Sequence, residues 1–139
     1  MPDSLLFDAG CNLLLNYETP YYVFINRAKL QARGTVLVTG ASGAAGMAAV
    51  QVAELPGATV IATGRSDKQL AQVKQFGADH VINISPRDGE SIIPKFREEV
   101  KALTSGRGDV VFDTVSGDIS QESMRCLAFG GRMVIVGWA

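Results

Sequence analysis

Gly40, Gly43 and Gly46 recur at every third position after an apolar run, in Val36-Leu-Val-Thr-Gly40-Ala-Ser-Gly43-Ala-Ala-Gly46-Met-Ala-Ala-Val50. β-forming residues thus empty into a glycine-spaced turn, which leads into small helix formers. That order suits an anion: glycine lets the backbone approach a phosphate, and the N–H groups and dipole of the helix start favour its negative charge. The backbone of Ser42, Gly43, Ala44, Ala45 and Gly46 is therefore expected to cradle a pyrophosphate, with Gly40 and Gly43 keeping Cβ atoms out of its way. The spacing departs from G-x-G-x-x-G because Ala41 replaces a glycine, so the turn is a variant. A tight strand-to-helix junction has the same composition, but a second strand, Thr59-Val-Ile-Ala-Thr63, follows at the distance of a βαβ unit and favours the dinucleotide.

The end of that second strand carries the next chemistry. An NAD-preferring domain offers Asp or Glu there to the ribose 2′-hydroxyl, whereas this chain has Gly64-Arg65-Ser66. A carboxylate would repel a 2′-phosphate; a guanidinium and a hydroxyl can bind it through charge-assisted hydrogen bonds, so NADPH is the expected cofactor. The alternative left open is that Ser66 caps its helix and Arg65 faces solvent.

Other reactive residue types are sparse. Cys11 and Cys126 stand 115 positions apart and His80 is the lone histidine, too few soft ligands for a tetrahedral zinc site, so no metal is expected. Both cysteines are read as small buried apolar residues, and His80 as a strand-edge residue. Asp113 ends a strand and is read as a loop anchor rather than a general base. No catalytic residue is assigned, which fits hydride transfer, where a cofactor supplies the reactive hydrogen.

The elements that must position these residues alternate. Short β-rich runs, Thr35 to Thr39, Ala58 to Ala62, His80 to Asn83, Val110 to Asp113 and Arg132 to Val136, are nearly continuously apolar, as in parallel strands covered on both faces. Helical spacing appears between them, at Leu70, Val73 and Phe76 and at Ile92, Phe96, Val100 and Leu103. Ser66 with Gln69 and Asp118 with Gln121 are spaced as capping boxes, and Thr19 with Pro20 marks another helix start. The fold expected is an α/β, Rossmann-type doubly wound parallel sheet of five to six strands with helices on both faces. It forms one dinucleotide-binding domain over 1–139, with 1–30 as an N-terminal crossover and first helix.

Composition limits the partners. The 139 residues carry 13 basic and 14 acidic side chains, a net charge of −1, with no basic stripe for nucleic acid and no polybasic patch for a membrane. No apolar run is long enough to span a bilayer and no positive region precedes the first hydrophobic residues, so a cytoplasmic protein with small-molecule partners is expected.

Several ordered stretches then give the chain a family likeness: Asn16-Tyr-Glu-Thr19, the Val36 to Gly46 turn, Ala48-Ala-Val-Gln-Val-Ala53, Gly77-Ala-Asp-His-Val-Ile-Asn83, Val110-Val-Phe-Asp-Thr-Val115 and Gly130-Gly-Arg-Met-Val-Ile-Val-Gly137. Together they resemble the cofactor-binding domain of the medium-chain dehydrogenase/reductase superfamily, in particular its zinc-free NADPH-dependent quinone oxidoreductase branch. The resemblance implies that Thr19 lies near the nicotinamide end, that Val115 belongs to the adenine-side loop, and that Val136, Gly137 and Trp138 border the nicotinamide. Lys68 is a weaker phosphate candidate, since relatives carry their lysine where this chain has Gln69. Asn16 and Tyr17 belong either to the cleft or to simple packing. Ile84 stands where relatives have a tyrosine near the adenine, and Glu18 and Ser116 replace usual glycines.

The resemblance further implies a two-domain parent whose N-terminal substrate domain is absent, making this chain an isolated nucleotide-binding domain from an engineered fragment or a truncated gene product. The parent would be an NADPH-dependent oxidoreductase passing hydride to a quinone or activated enone, with room for a homo-oligomer. Two alternatives stand beside it. One is an enoyl-reductase module of a fatty-acid or polyketide synthase; the other is a stand-alone module that binds or senses NADPH without catalysis.

Overall fold

The computed structural model describes residues 6–86, 95–106 and 108–137. Five parallel strands, β1 (Thr35–Val38), β2 (Thr59–Gly64), β3 (His80–Asn83), β4 (Val110–Asp113) and β5 (Arg132–Ile135), lie in the order β3-β2-β1-β4-β5. Val36 is level with Val60 on one side and Val110 on the other. Every residue of β1 and β4 is buried, because helices cover both faces of the sheet.

Alternation along the strands divides the core. Val36, Val38, Val60, Ala62, Val110 and Phe112 point to the face covered by α1 (Phe7–Tyr22), α2 (Ala44–Glu54) and α3 (Asp67–Gln75). Leu37, Ile61, Ile82 and Val111 point to the other face, toward α4 (Arg97–Thr104) and α5 (Gly117–Met124). The architecture is the expected doubly wound α/β sheet, with five strands. Its central helix α2 packs Ala49 and Ala53 into the core with the strands, small residues that let helix and strands approach closely.

Some local expectations are corrected. Thr19 and Pro20 do not open a helix; α1 runs through them and passes into a π-helical turn, Val23–Arg27. Pro20 has no N–H for the carbonyl one turn earlier, and just beyond it the bonding widens, with Ala28 N–H donating to Val23 O at 2.7 Å. Asp118 is not the cap of α5. Ser116 holds that position and Asp118 falls in the first turn, because Asp113 Oδ1 accepts from the backbone N–H of Val115 (3.1 Å) and Ser116 (3.4 Å) and bends the chain earlier. Phe76 lies beyond the end of α3 and is exposed, while Leu70 and Val73 are buried as expected. In α4 the residue one turn after Val100 that is buried is Thr104, not Leu103; Ile92 lies outside the described residues.

Cys126 is buried, but Cys11 is exposed on α1. That helix turns Phe7, Leu14, Leu15 and Tyr21 to solvent as well. No helix among the described residues is long and apolar enough to cross a membrane.

Candidate functional site

β1 leads to β2 on one side of the sheet, while β4, its neighbour on the other side, leads to β5. Ligands of open α/β sheets bind outside the carboxyl ends of the strands at such a reversal. A cleft of about 510 Å³ opens there. It falls within the roughly 300–1,000 Å³ usual for small-molecule sites.

One end of the cleft is made of backbone. Gly40, at φ +60°, starts the turn; Ala41 N–H donates to Thr63 O at 3.1 Å and Gly43 N–H to Gly40 O at 3.0 Å. Gly43 is the N-cap of α2 and no side chain caps the helix, so the N–H groups of its first turn, Ala44 to Gly46, have no helical acceptor. Ser42 and Gly43 line the cleft at this point. Gly46 also has a packing duty. It is buried, and a Cβ there would overlap the Gly40 carbonyl oxygen and stand 2.7 Å from Ala41 Cα, so its bareness seats the helix on the turn.

A hydrogen-bonded frame holds this end from beneath. Thr39 Oγ1 and Ser120 Oγ both donate to the fully buried Asp113 carboxyl group, which also accepts from the two backbone N–H groups of the following loop. Thr114 N–H donates to Thr39 Oγ1 at 3.2 Å and Thr114 Oγ1 to Thr39 O at 2.9 Å, zipping the β1 and β4 loops together. Asp113 is thus a loop anchor with its acceptor sites taken.

The other end is built from side chains. Gly64, Arg65 and Gln69, from the end of β2 and the start of α3, line it together with Ile84 and Pro86, which follow β3, and Arg65 and Asp118 are the charged residues along the cleft among the described residues. Ser66 Oγ accepts from Gln69 N–H at 3.4 Å as the N-cap of α3, while Arg65 both lines the cleft and is exposed. A dinucleotide fits this arrangement: an uncapped helix start at one end, and at the other a guanidinium with no carboxylate at position 64.

The structure brings Gly40, Ser42, Gly43, Gly64, Arg65 and Val115 together around one cleft. Lys68 lies exposed on α3 away from its lining. Thr19 sits on α1 beside a separate shallow depression with Leu15 and Tyr22. Val136 and Gly137 follow β5, where Val136 N–H donates to Asp113 O at 2.7 Å; Trp138 lies outside the described residues. Tyr17 belongs to packing: its hydroxyl donates to Gln51 Oε1 on α2 at 2.9 Å. Sequence reasoning did not assign Gln69, Pro86, Thr114, Ser116, Asp118 or Ile119 to the lining. Thr114 stands in the quoted Val110 to Val115 run, but its contact with Thr39 depends on β1 and β4 being neighbours.

Comparison with known proteins agrees with this geometry. A family model described as zinc-binding dehydrogenase matches residues 44–139. The chain belongs to that family. It is a cofactor domain of the medium-chain dehydrogenase/reductase superfamily. It is 36% identical over 141 residues to a quinone oxidoreductase-like protein 2 homolog of Nematostella vectensis, covering 100% of this chain and 36% of that protein. It is also 37% identical over 139 residues to a highly reducing polyketide synthase of Eupenicillium brefeldianum, covering 97% of this chain and 6% of the synthase. Among solved structures, the quinone oxidoreductase of Thermus thermophilus, determined also in complex with NADPH, superposes with a TM-score of 0.82 at 31% identity, covering 97% of this chain and 41% of that one. The chain therefore spans about a third of its quinone oxidoreductase-like relative. Despite the family's description, no group of three or more His, Cys, Asp or Glu side chains among the described residues is placed to hold a metal.

Proposed function

We propose that this dehydrogenase-family domain binds NADPH and forms the cofactor half of a zinc-independent oxidoreductase that transfers hydride to a quinone or activated enone. The observation that carries the cofactor choice is the far end of the cleft. Arg65 lines it, and β2 ends in Gly64, so the carboxylate that would take a ribose 2′-hydroxyl and repel a 2′-phosphate is missing.

Within this reading each part of the cleft has a task. The backbone of Ser42 and Gly43, with the first turn of α2, holds the pyrophosphate. Arg65 pairs with the 2′-phosphate, and Ile84, Pro86 and Ile119 offer apolar surface to the adenine. The bound nicotinamide supplies the hydride, so the domain needs no acid, base or nucleophile of its own for that transfer. Exposed Phe7, Leu14 and Leu15 on α1 fit a docking face for the remainder of such an enzyme. The polyketide synthase relative favours a second reading, an enoyl-reductase module acting on an enone.

Titration of the chain with NADPH and NADH by calorimetry tests the cofactor assignment. NADPH is expected to bind more tightly, and Arg65→Ala to weaken NADPH about tenfold while leaving NADH unchanged, the loss of one charge-assisted contact. Equal affinities in the wild type would remove the NADPH assignment. A full-length parent assayed with quinones and with enones separates the two acceptor classes, and activity that survives a zinc chelator is expected in either case.

A further inference from the structure

Ser85 belongs to none of the family stretches quoted above, yet it joins the turn after β2 to the segment after β3 at the cleft's side-chain end. Its backbone N–H donates to Asn83 Oδ1 at 2.9 Å, and its Oγ lies 2.6 Å from the Arg65 carbonyl oxygen and 2.7 Å from Asn83 Oδ1. A serine hydroxyl has one proton. Asn83 Oδ1 already accepts from the Ser85 backbone, and Arg65 O has no other donor among the described hydrogen bonds, so the proton belongs on the bond to Arg65. Asn83 in turn donates from Nδ2 to Asp67 Oδ1 at 2.7 Å, in the first turn of α3.

These bonds close a clasp. Ser85 fixes the carbonyl of Arg65 on one side of the β2–α3 turn, Asn83 fixes Asp67 on the other, and Ser66, between them, caps the helix. Pro86 biases Ser85 toward extended backbone, which aims its hydroxyl before any ligand arrives. Arg65 is exposed, so without this clasp its side chain and the turn that carries it must be ordered when a ligand binds.

We infer that Ser85 is a positioning residue for 2′-phosphate recognition: by holding the Arg65 backbone, it sets how strongly the cleft prefers a 2′-phosphorylated adenosine. This rests on the NADPH assignment proposed above. Asn83 supports the same turn by turning the Asp67 carboxyl group toward β3.

The test uses adenosine 2′,5′-bisphosphate and adenosine 5′-monophosphate, which differ only in the 2′-phosphate. Calorimetry on the chain is expected to give Ser85→Ala a three- to tenfold loss for the bisphosphate, about the cost of ordering one side chain and its turn, with the monophosphate unchanged. Ser85→Thr, which keeps the hydroxyl, should restore the preference. Because the clasp is solvent-exposed, the melting temperature of Ser85→Ala should stay within about 2 °C of wild type, which separates positioning from folding. If Arg65→Ala abolishes the preference and Ser85→Ala leaves it intact, the inference about Ser85 is wrong and the NADPH assignment stands. If the wild type shows no preference for the bisphosphate, both are overturned. An equal loss for both nucleotides in Ser85→Ala would make Ser85 a general cleft residue and also overturn the inference.

Discussion

The two ends of the cleft are built from different materials. At the glycine turn the ligand surface is backbone, seated on a buried frame in which Gly46 lies against Gly40 and Ala41 and Asp113 gathers two hydroxyls and two backbone N–H groups. At the arginine end it is exposed side chain, held by a few surface hydrogen bonds around Ser85 and Asn83. Under the proposed function, binding at the first end is inseparable from folding, whereas at the second it is separable, so that is where cofactor choice can change while the fold remains intact.

Asp113→Ala should have the largest effect. It leaves the Thr39 and Ser120 hydroxyls and the loop N–H groups without their acceptor at a position with no solvent exposure. Each buried group left unsatisfied costs about 1–3 kcal/mol, so a stability loss of about 4 kcal/mol is expected in urea unfolding. Gly46→Ala comes next. Its Cβ meets the Gly40 and Ala41 backbone, which cannot rotate away, and overpacking of this kind costs about 1–3 kcal/mol. Both variants should lose NADPH and NADH affinity together. A Gly46→Ala chain that keeps its stability and loses only nucleotide would erase the distinction between the two ends.

At the arginine end, Arg65→Ala should do the reverse, with about a tenfold loss for NADPH alone and unfolding free energy within about 0.5 kcal/mol of wild type. A large drop in stability would mean that Arg65 is part of the frame.

How much of this was legible in the sequence follows the same division. The strands and the glycine turn were readable because β1 and β4 are buried on both faces and therefore apolar throughout, and because Gly40 adopts a positive φ. Arg65 was readable from its place after β2. The frame was less so: the role of Asp113 as an anchor was legible, but Thr114 meets Thr39 only because two segments 75 residues apart become neighbours in the sheet. The start of α1 was misjudged because a Thr-Pro pair signals a helix start locally, while the surrounding helix tolerates the missing N–H by widening into a π turn. Cys11 was misjudged because burial belongs to the layer opposite a residue, and the face of α1 that carries it has no such layer among the described residues.

The cysteines extend the contrast between surface and frame to chemistry. Cys11 should react with a disulfide reagent in the folded chain, whereas Cys126 should react only on unfolding. Burial, and then the neighbouring Glu122, push the Cys126 thiol up from its ordinary 9.0 to about 12, and the thiolate is the reactive form. The raised value has a sign for stability. Between about pH 9 and 12 the unfolded chain releases this proton while the folded one keeps it, so the contribution of this group is whole below about pH 9 and is lost as pH rises toward 12. Urea unfolding of wild type and Cys126→Ala across that range should show the wild type losing stability more steeply.

The smallest expected effect lies between the two ends. Thr63, in β2 just before Gly64, buries a hydroxyl oxygen that has no hydrogen-bond partner among the described residues, while its carbonyl oxygen accepts from Ala41 in the glycine turn. Valine has nearly the same shape, keeps the branching that suits a strand, and removes the unpaired hydroxyl, so Thr63→Val should raise stability by up to about 1 kcal/mol with nucleotide affinity unchanged. That outcome would place Thr63 with the frame, which supports the cleft through backbone alone. A Thr63→Val chain that is no more stable and binds nucleotide less well would give the hydroxyl a partner in the cleft, and the boundary between the two ends would then run through β2 rather than beyond it.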